Sequence, residues 1–169
     1  MAVVASAEAG LEAIKKGATI VQLRAPDLTA REVEREANTL VPMASVPVVV
    51  TSRCDVALAA GAAGVNLPER DISVAYARTL MGHRLVGRSV HSIEAAVIAE
   101  RDGADYVIFG PVWPSPSHPD DKPHGTSALA AVARAVRIPV LAIGGVTVER
   151  VEECARAGAA GYAAITLFR

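Results

Sequence analysis

The sequence predicts an α/β protein: a (β/α)8, or TIM, barrel with eight strands, seven helices and no eighth helix at its end. Three observations predict it. Short, near-continuous apolar runs recur along the chain, as strands buried on both faces of a parallel sheet require. Gly-Ala pairs precede four of these runs, at Gly17-Ala18, Gly61-Ala62, Gly103-Ala104 and Gly158-Ala159. Each glycine can end the preceding helix in the left-handed conformation that side chains resist. Amphipathic segments fill every interval between the runs, and strict alternation of this kind builds either a closed barrel or an open doubly wound sheet.

The elements follow in order. Ala2–Ala5 is a short first strand, followed by a helix over Ala7–Lys16. Thr19–Arg24 is the second strand. The next helix spans Ala30–Thr39, where Thr29 and Glu32 have capping-box spacing. Pro47–Val50, Gly64–Leu67, Leu85–Val90, Tyr106–Gly110, Ile138–Ile143 and Gly161–Ile165 supply the remaining strands. Helices are expected over Asp55–Ala60, Ser73–Leu80, Ile93–Arg101, Ser127–Val136 and Val148–Ala157. Ser92 and Thr147 are N-cap residues, with Glu94 and Glu149 in the first turns. The whole chain, 1–169, is read as one domain, shorter than the ~200 residues of a small barrel.

Apolar residues make up 51% of the chain and the net charge is −1, which excludes a disordered chain and leaves no basic surplus for nucleic acid. Cys54 and Cys154 lack metal-ligand spacing and read as buried thiols of a cytoplasmic protein. No membrane span or signal peptide is read, since Arg134, Arg137 and Pro139 break the longest apolar stretch and Glu8 stands early.

Barrel chemistry collects at the C-terminal ends of strands. Gln22 and Arg24 share one face of the second strand, and Ser89 and His91 one face at the end of the fifth. Thr51 ends the third strand and Asn66 lies on the fourth. An inward Arg24 at a pocket mouth suits an anion. The longest loop, Gly110–Gly125, holds Ser115, Ser117 and His118, and loops of that length usually serve function. Gly144-Gly145 after strand seven, with Ile165-Thr166 after strand eight, would bind phosphate through backbone N–H groups and the following helix N-terminus. His83 falls in a loop at the opposite end and is expected to be solvated.

Several segments resemble the thiamine phosphate synthase / thiazole tautomerase superfamily. They are Gln22-Leu23-Arg24, Gly64-Val65-Asn66-Leu67, Gly87-Arg88-Ser89-Val90-His91-Ser92, Gly103 to Val112, and Ala142-Ile143-Gly144-Gly145. The resemblance spans nearly the whole chain. It implies a (β/α)8 barrel enzyme of vitamin B1 synthesis that handles a small phosphorylated thiazole. The synthase branch joins a pyrimidine diphosphate to thiazole phosphate with Mg2+, and the resemblance would make Asp71 a metal-side carboxylate. Yet Pro26 stands where that branch has a Lys, Thr51-Ser52 where it has Asn-Asp, and about His118 where it has a second Lys.

The chain therefore reads as tautomerase-like, an isomerase moving a proton without cofactor or metal. A synthase-like transferase using Mg2+ and a non-catalytic thiazole- or thiamine-phosphate binder are the alternatives. The tautomerase's catalytic His would fall at Pro111, so His118 or His91 would carry the acid/base role, for which imidazole is suited.

With seven helices and an end at Arg169, an outward face bearing Ala163, Ile165 and Leu167 is expected beside strands eight and one. A bare apolar patch of ~300–600 Å2 is unusual for a monomer, so a homodimer or higher homo-oligomer is expected. Folding of Leu167-Phe168 back over the gap is the alternative.

Overall fold

The computed structural model describes residues 1–115 and 122–168. Eight parallel strands lie in sequential order: β1 (Ala2–Val4), β2 (Val21–Leu23), β3 (Val48–Thr51), β4 (Gly64–Leu67), β5 (Leu85–Val90), β6 (Tyr106–Phe109), β7 (Val140–Ala142) and β8 (Gly161–Tyr162). Ala2 bridges in parallel to Ala164, and Val3 N–H donates to Ala164 O at 2.9 Å, bringing the end of the sheet back to β1. The barrel thus displaces the open-sheet alternative.

The helices are α1 (Ala7–Lys15), α2 (Ala30–Leu40), α3 (Cys54–Ala59), α4 (Val74–Met81), α5 (Ile93–Arg101), α6 (Gly125–Ala135) and α7 (Val151–Arg156). Thr29 and Glu32 form the reciprocal capping box of α2, and Ser73 and Ser92 cap α4 and α5. Thr147 makes no cap bond; a 3-10 turn at Val148–Arg150 precedes α7. Among the described residues no helix is long and apolar enough to cross a membrane.

The strands alternate between two cores. In β3, Val49 joins an inner cluster with Val3, Tyr106, Ile108 and Ala163, while Val48 and Val50 pack outward against the helix layer. This period of two puts Gln22, Asn66 and Ser89 on the inner face, above that cluster. Gly87 makes room for the Tyr106 ring: a Cβ there would lie 2.1 Å from Cζ of Tyr106. Gly87→Ala is expected to destabilise the protein by about 1–3 kcal/mol through overpacking. Calorimetry should register a lower Tm, and an unchanged Tm would mean that the ring yields freely.

Cys54 and Cys154 are buried free thiols, and burial pushes both pKa values up. His83 is exposed, as expected.

The expected outward patch is absent. Ala163 is fully buried in the inner cluster, Ile165 turns toward the cavity mouth, and Leu167 packs on the main core. Phe168 stacks on Tyr162 at 6.3 Å and packs beside Ala2, Ala13 and Ala18. Pairing continues past Tyr162: Ala163 N–H donates to Ala142 O at 2.8 Å and Ala164 bridges to Ala2, so Ala163 stays on the inner face and the chain turns only after Ala164. The fold-back arrangement is the one observed, and these residues supply no ground for a partner.

Candidate functional site

A cavity of about 260 Å3 opens at the C-terminal ends of the strands. Its wall includes Gln22, Arg24, Thr51, Asn66, Ser89, His91, Ser115, Gly144, Gly145, Ile165 and Thr166. The structure therefore brings together every site residue expected from sequence that lies among the described residues, apart from the conditional metal ligand Asp71. His118 and Ser117 lie outside the described residues. Glu69, Pro68, Gly110, Pro111 and Val146 also line the wall.

The floor carries two amide–hydroxyl pairs. Gln22 Nε2 donates to Thr51 Oγ1 at 2.9 Å, and Asn66 Nδ2 donates to Ser89 Oγ at 3.1 Å. Each amide is anchored by its nitrogen. The oxygens, Gln22 Oε1 and Asn66 Oδ1, are buried and have no partner among the described residues. Buried acceptors of this kind cost about 1–3 kcal/mol each unless a donor meets them. A ligand N–H group reaching the floor would meet these oxygens.

The β7–β8 corner is made of backbone. Gly144 and Gly145 have φ of +88° and +65°, which other residues adopt only with strain. The loop after β6 packs against them so closely that a Cβ on Gly144 would lie 2.5 Å from Pro111 Cβ. The N–H groups of Gly144, Gly145, Val146, Ile165 and Thr166 make no hydrogen bond among the described residues. Five such unused donors at one rim are an arrangement that suits an anion. The expected helix contribution is not met: α7 has six residues and starts only at Val151.

On the facing rim, His91 Nδ1 is bonded to Glu69 Oε2. Arg88 braces that loop, donating to Glu69 O at 2.6 Å and to Ile72 O at 2.7 Å. The His124 ring lies tilted against Phe109, with centroids 5.2 Å apart, and 6.4 Å from the ring of His91. A carboxylate holding one imidazole nitrogen fixes the ring and leaves Nε2 as its second proton-transfer atom.

Asp71 lies outside the cavity lining. Its Oδ1 accepts the Ile72 N–H at 2.7 Å, and its Oδ2 is buried without a partner among the described residues. Near it the chain offers Thr51, whose hydroxyl serves Gln22, and Ser52, held at φ +65°. Glu69 is committed to His91. Among the described residues no three His, Cys, Asp or Glu side chains meet to hold an ion. Mg2+ keeps several waters and is held through one or two carboxylates together with substrate phosphates, and Asp71, whose buried Oδ2 has no partner among the described residues, is the carboxylate that would hold it here.

Sequence reasoning missed Glu69 and Val146. Glu69 follows β4 by two residues, within reach of the strand-end rule. Val146 acts through its N–H, which its apolar side chain does not advertise.

The sequence profile of the thiamine monophosphate synthase family matches residues 4–168. A thiamine-phosphate synthase of Chloroflexus aurantiacus is 41% identical over 158 residues, covering 91% of this chain and 73% of the relative. That of Roseiflexus castenholzii is 43% identical over 159 residues, covering 91% and 70%. Among solved structures, thiamine phosphate pyrophosphorylase from Pyrococcus furiosus superposes with a TM-score of 0.88 at 32% identity, covering 98% of this chain and 83% of that one.

Proposed function

This chain belongs to the thiamine monophosphate synthase family, and we propose that it is a transferase of thiamine biosynthesis, joining a pyrimidine carried as its diphosphate to thiazole phosphate. This replaces the tautomerase-like reading as the first choice. The observation that carries the choice is Pro111, a residue with no proton to exchange, in the cavity wall where the tautomerase branch has its histidine. The thiazole phosphate sits on the N–H groups of Gly144, Gly145, Ile165 and Thr166. Gln22 Oε1 and Asn66 Oδ1 accept from ligand N–H groups at the floor, and Arg24 faces the negative diphosphate at the mouth. Mg2+, where bound, would neutralise the departing pyrophosphate, with Asp71 as the carboxylate on its side.

The test is direct. Purified protein is supplied with the pyrimidine diphosphate and thiazole phosphate, once with Mg2+ and once with a chelator. Pyrophosphate and thiamine monophosphate should appear together in at least one condition. Absence of both products in both conditions, from protein that still binds thiamine monophosphate, defeats the transferase reading.

A second reading is favoured by the Glu69–His91 pair, which the transfer reaction does not require. A braced carboxylate–imidazole pair at a cavity rim suits general acid/base work. In this reading, His91 Nε2 takes a proton from one atom of a bound thiazole phosphate carboxylate and returns it to another. Ring isomerisation without pyrophosphate release would select it. Phosphate-ester binding with neither turnover would select the non-catalytic binder.

A further inference from the structure

We propose that Arg150 is a positioning residue that fixes the peptide unit Gly145–Val146, so that the Val146 N–H becomes a third consecutive donor at the phosphate corner. The inference rests on the reading that this corner takes a phosphate.

The geometry runs through three successive peptide units. Ile143 O accepts from Val112 N–H at 2.8 Å, and Gly144 O accepts from Trp113 N–H at 3.0 Å. Gly145 O accepts from Arg150 Nη1 at 2.6 Å. In a planar trans peptide the N–H points opposite the C=O. Three carbonyls held on one side therefore set the N–H groups of Gly144, Gly145 and Val146 on the other, and none of the three is used by another partner among the described residues.

The first two units are held by the backbone of the loop after β6. The third is held by a side chain alone. That side chain is itself fixed: the Arg150 guanidinium lies over the Trp113 ring, 5.1 Å from its centroid, a cation–π contact. A cationic donor on Gly145 O also polarises the same peptide, making the Val146 N–H a stronger donor. Arg150 thus acts on a phosphate through the backbone and need not touch it. Without it, nothing seen in the structure prevents the Gly145–Val146 peptide from turning, since Gly145 tolerates either side of φ.

The experiment compares wild type, Arg150→Ala and Arg150→Lys by titration calorimetry with two probes, thiamine monophosphate and unphosphorylated thiamine. Wild type should prefer the phosphate ester. In Arg150→Ala that preference should fall about tenfold, equal to ~1.4 kcal/mol and close to the low end for one hydrogen bond to a charged group, while thiamine affinity holds. Arg150→Lys keeps a cationic donor and should restore part of the preference, which a general loss of fold would not allow. Trp113, the sole tryptophan, should change its emission in Arg150→Ala and less so in Arg150→Lys. A wild-type preference undiminished in folded Arg150→Ala overturns the role of Arg150 and leaves the phosphate corner standing. A wild type without any preference overturns the corner and this inference with it.

Discussion

Gly145→Val is expected to weaken thiamine monophosphate binding about a hundredfold, equivalent to ~2.7 kcal/mol. Two effects combine. Valine at φ +65° is strained by about 1–3 kcal/mol. Its Cβ would also lie 2.5 Å from Pro114 O and 2.7 Å from Trp113 Cβ, inside van der Waals contact. The loop after β6 and the glycine pair would have to part, and the three N–H donors would lose their common direction. Calorimetric titration of the folded variant checks this, with Trp113 emission reporting the separation. Wild-type affinity in that variant would remove phosphate from the β7–β8 corner.

This corner also shows what the sequence made legible. Adjacent glycines after a seventh strand announce backbone donors, because few other functions demand two consecutive left-handed residues. Their supposed helper was misread: a helix pattern from Val148 suggested a helix N-terminus, yet Val148–Arg150 is a 3-10 turn and α7 begins at Val151. The donors work as a concavity held by Val112, Trp113 and Arg150. Arg150 was invisible because its partner is a carbonyl oxygen, which every residue carries.

Side chains on the strands were easier to place. Gln22, Asn66 and Ser89 are polar residues within apolar strands, and period two sends each to the inner face. Ala163 and Ile165 obey the same rule on the face opposite to the expected one: Ala163 N–H still donates to Ala142 O at 2.8 Å and Ala164 still bridges to Ala2, while Tyr162 points outward. Beyond Ala164 the chain turns and brings Phe168 onto Tyr162. An apolar run cannot distinguish a strand from a buried tail.

The metal question follows the same logic from the opposite side. Thr51 and Ser52 stand where the synthase branch has Asn-Asp, and the Thr51 hydroxyl accepts from Gln22. Ser52 carries no charge where that branch has an Asp, and it lies outside the cavity lining. Negative charge in the cavity wall is left to Glu69, which already has His91 as partner. A wall of this kind still suits a phosphate at the glycine corner, because the corner's donors are uncharged backbone groups on β7 and β8, whereas Glu69 follows β4.

In the proton-transfer reading the largest loss belongs to His91. His91→Gln is expected to lower isomerisation of thiazole phosphate carboxylate by about a hundredfold or more, the contribution of a well-placed general acid/base. Thiamine monophosphate affinity should hold, since the phosphate corner lies across the cavity on β7 and β8. Glutamine retains polar atoms and similar bulk but cannot carry a proton between two atoms, so kcat rather than KM should fall. Glu69→Gln should fall less, by about tenfold, because it loses the charge that steadies His91 while keeping a hydrogen-bonding oxygen at the same place. Arg88 should hold the loop in both variants, since it bonds the carbonyls of Glu69 and Ile72 and not the Glu69 side chain. Steady-state kinetics in deuterated water give the second readout: solvent deuterium should enter the product with wild type and enter more slowly with His91→Gln. Full turnover and full deuterium incorporation in His91→Gln would take the acid/base role away from this pair.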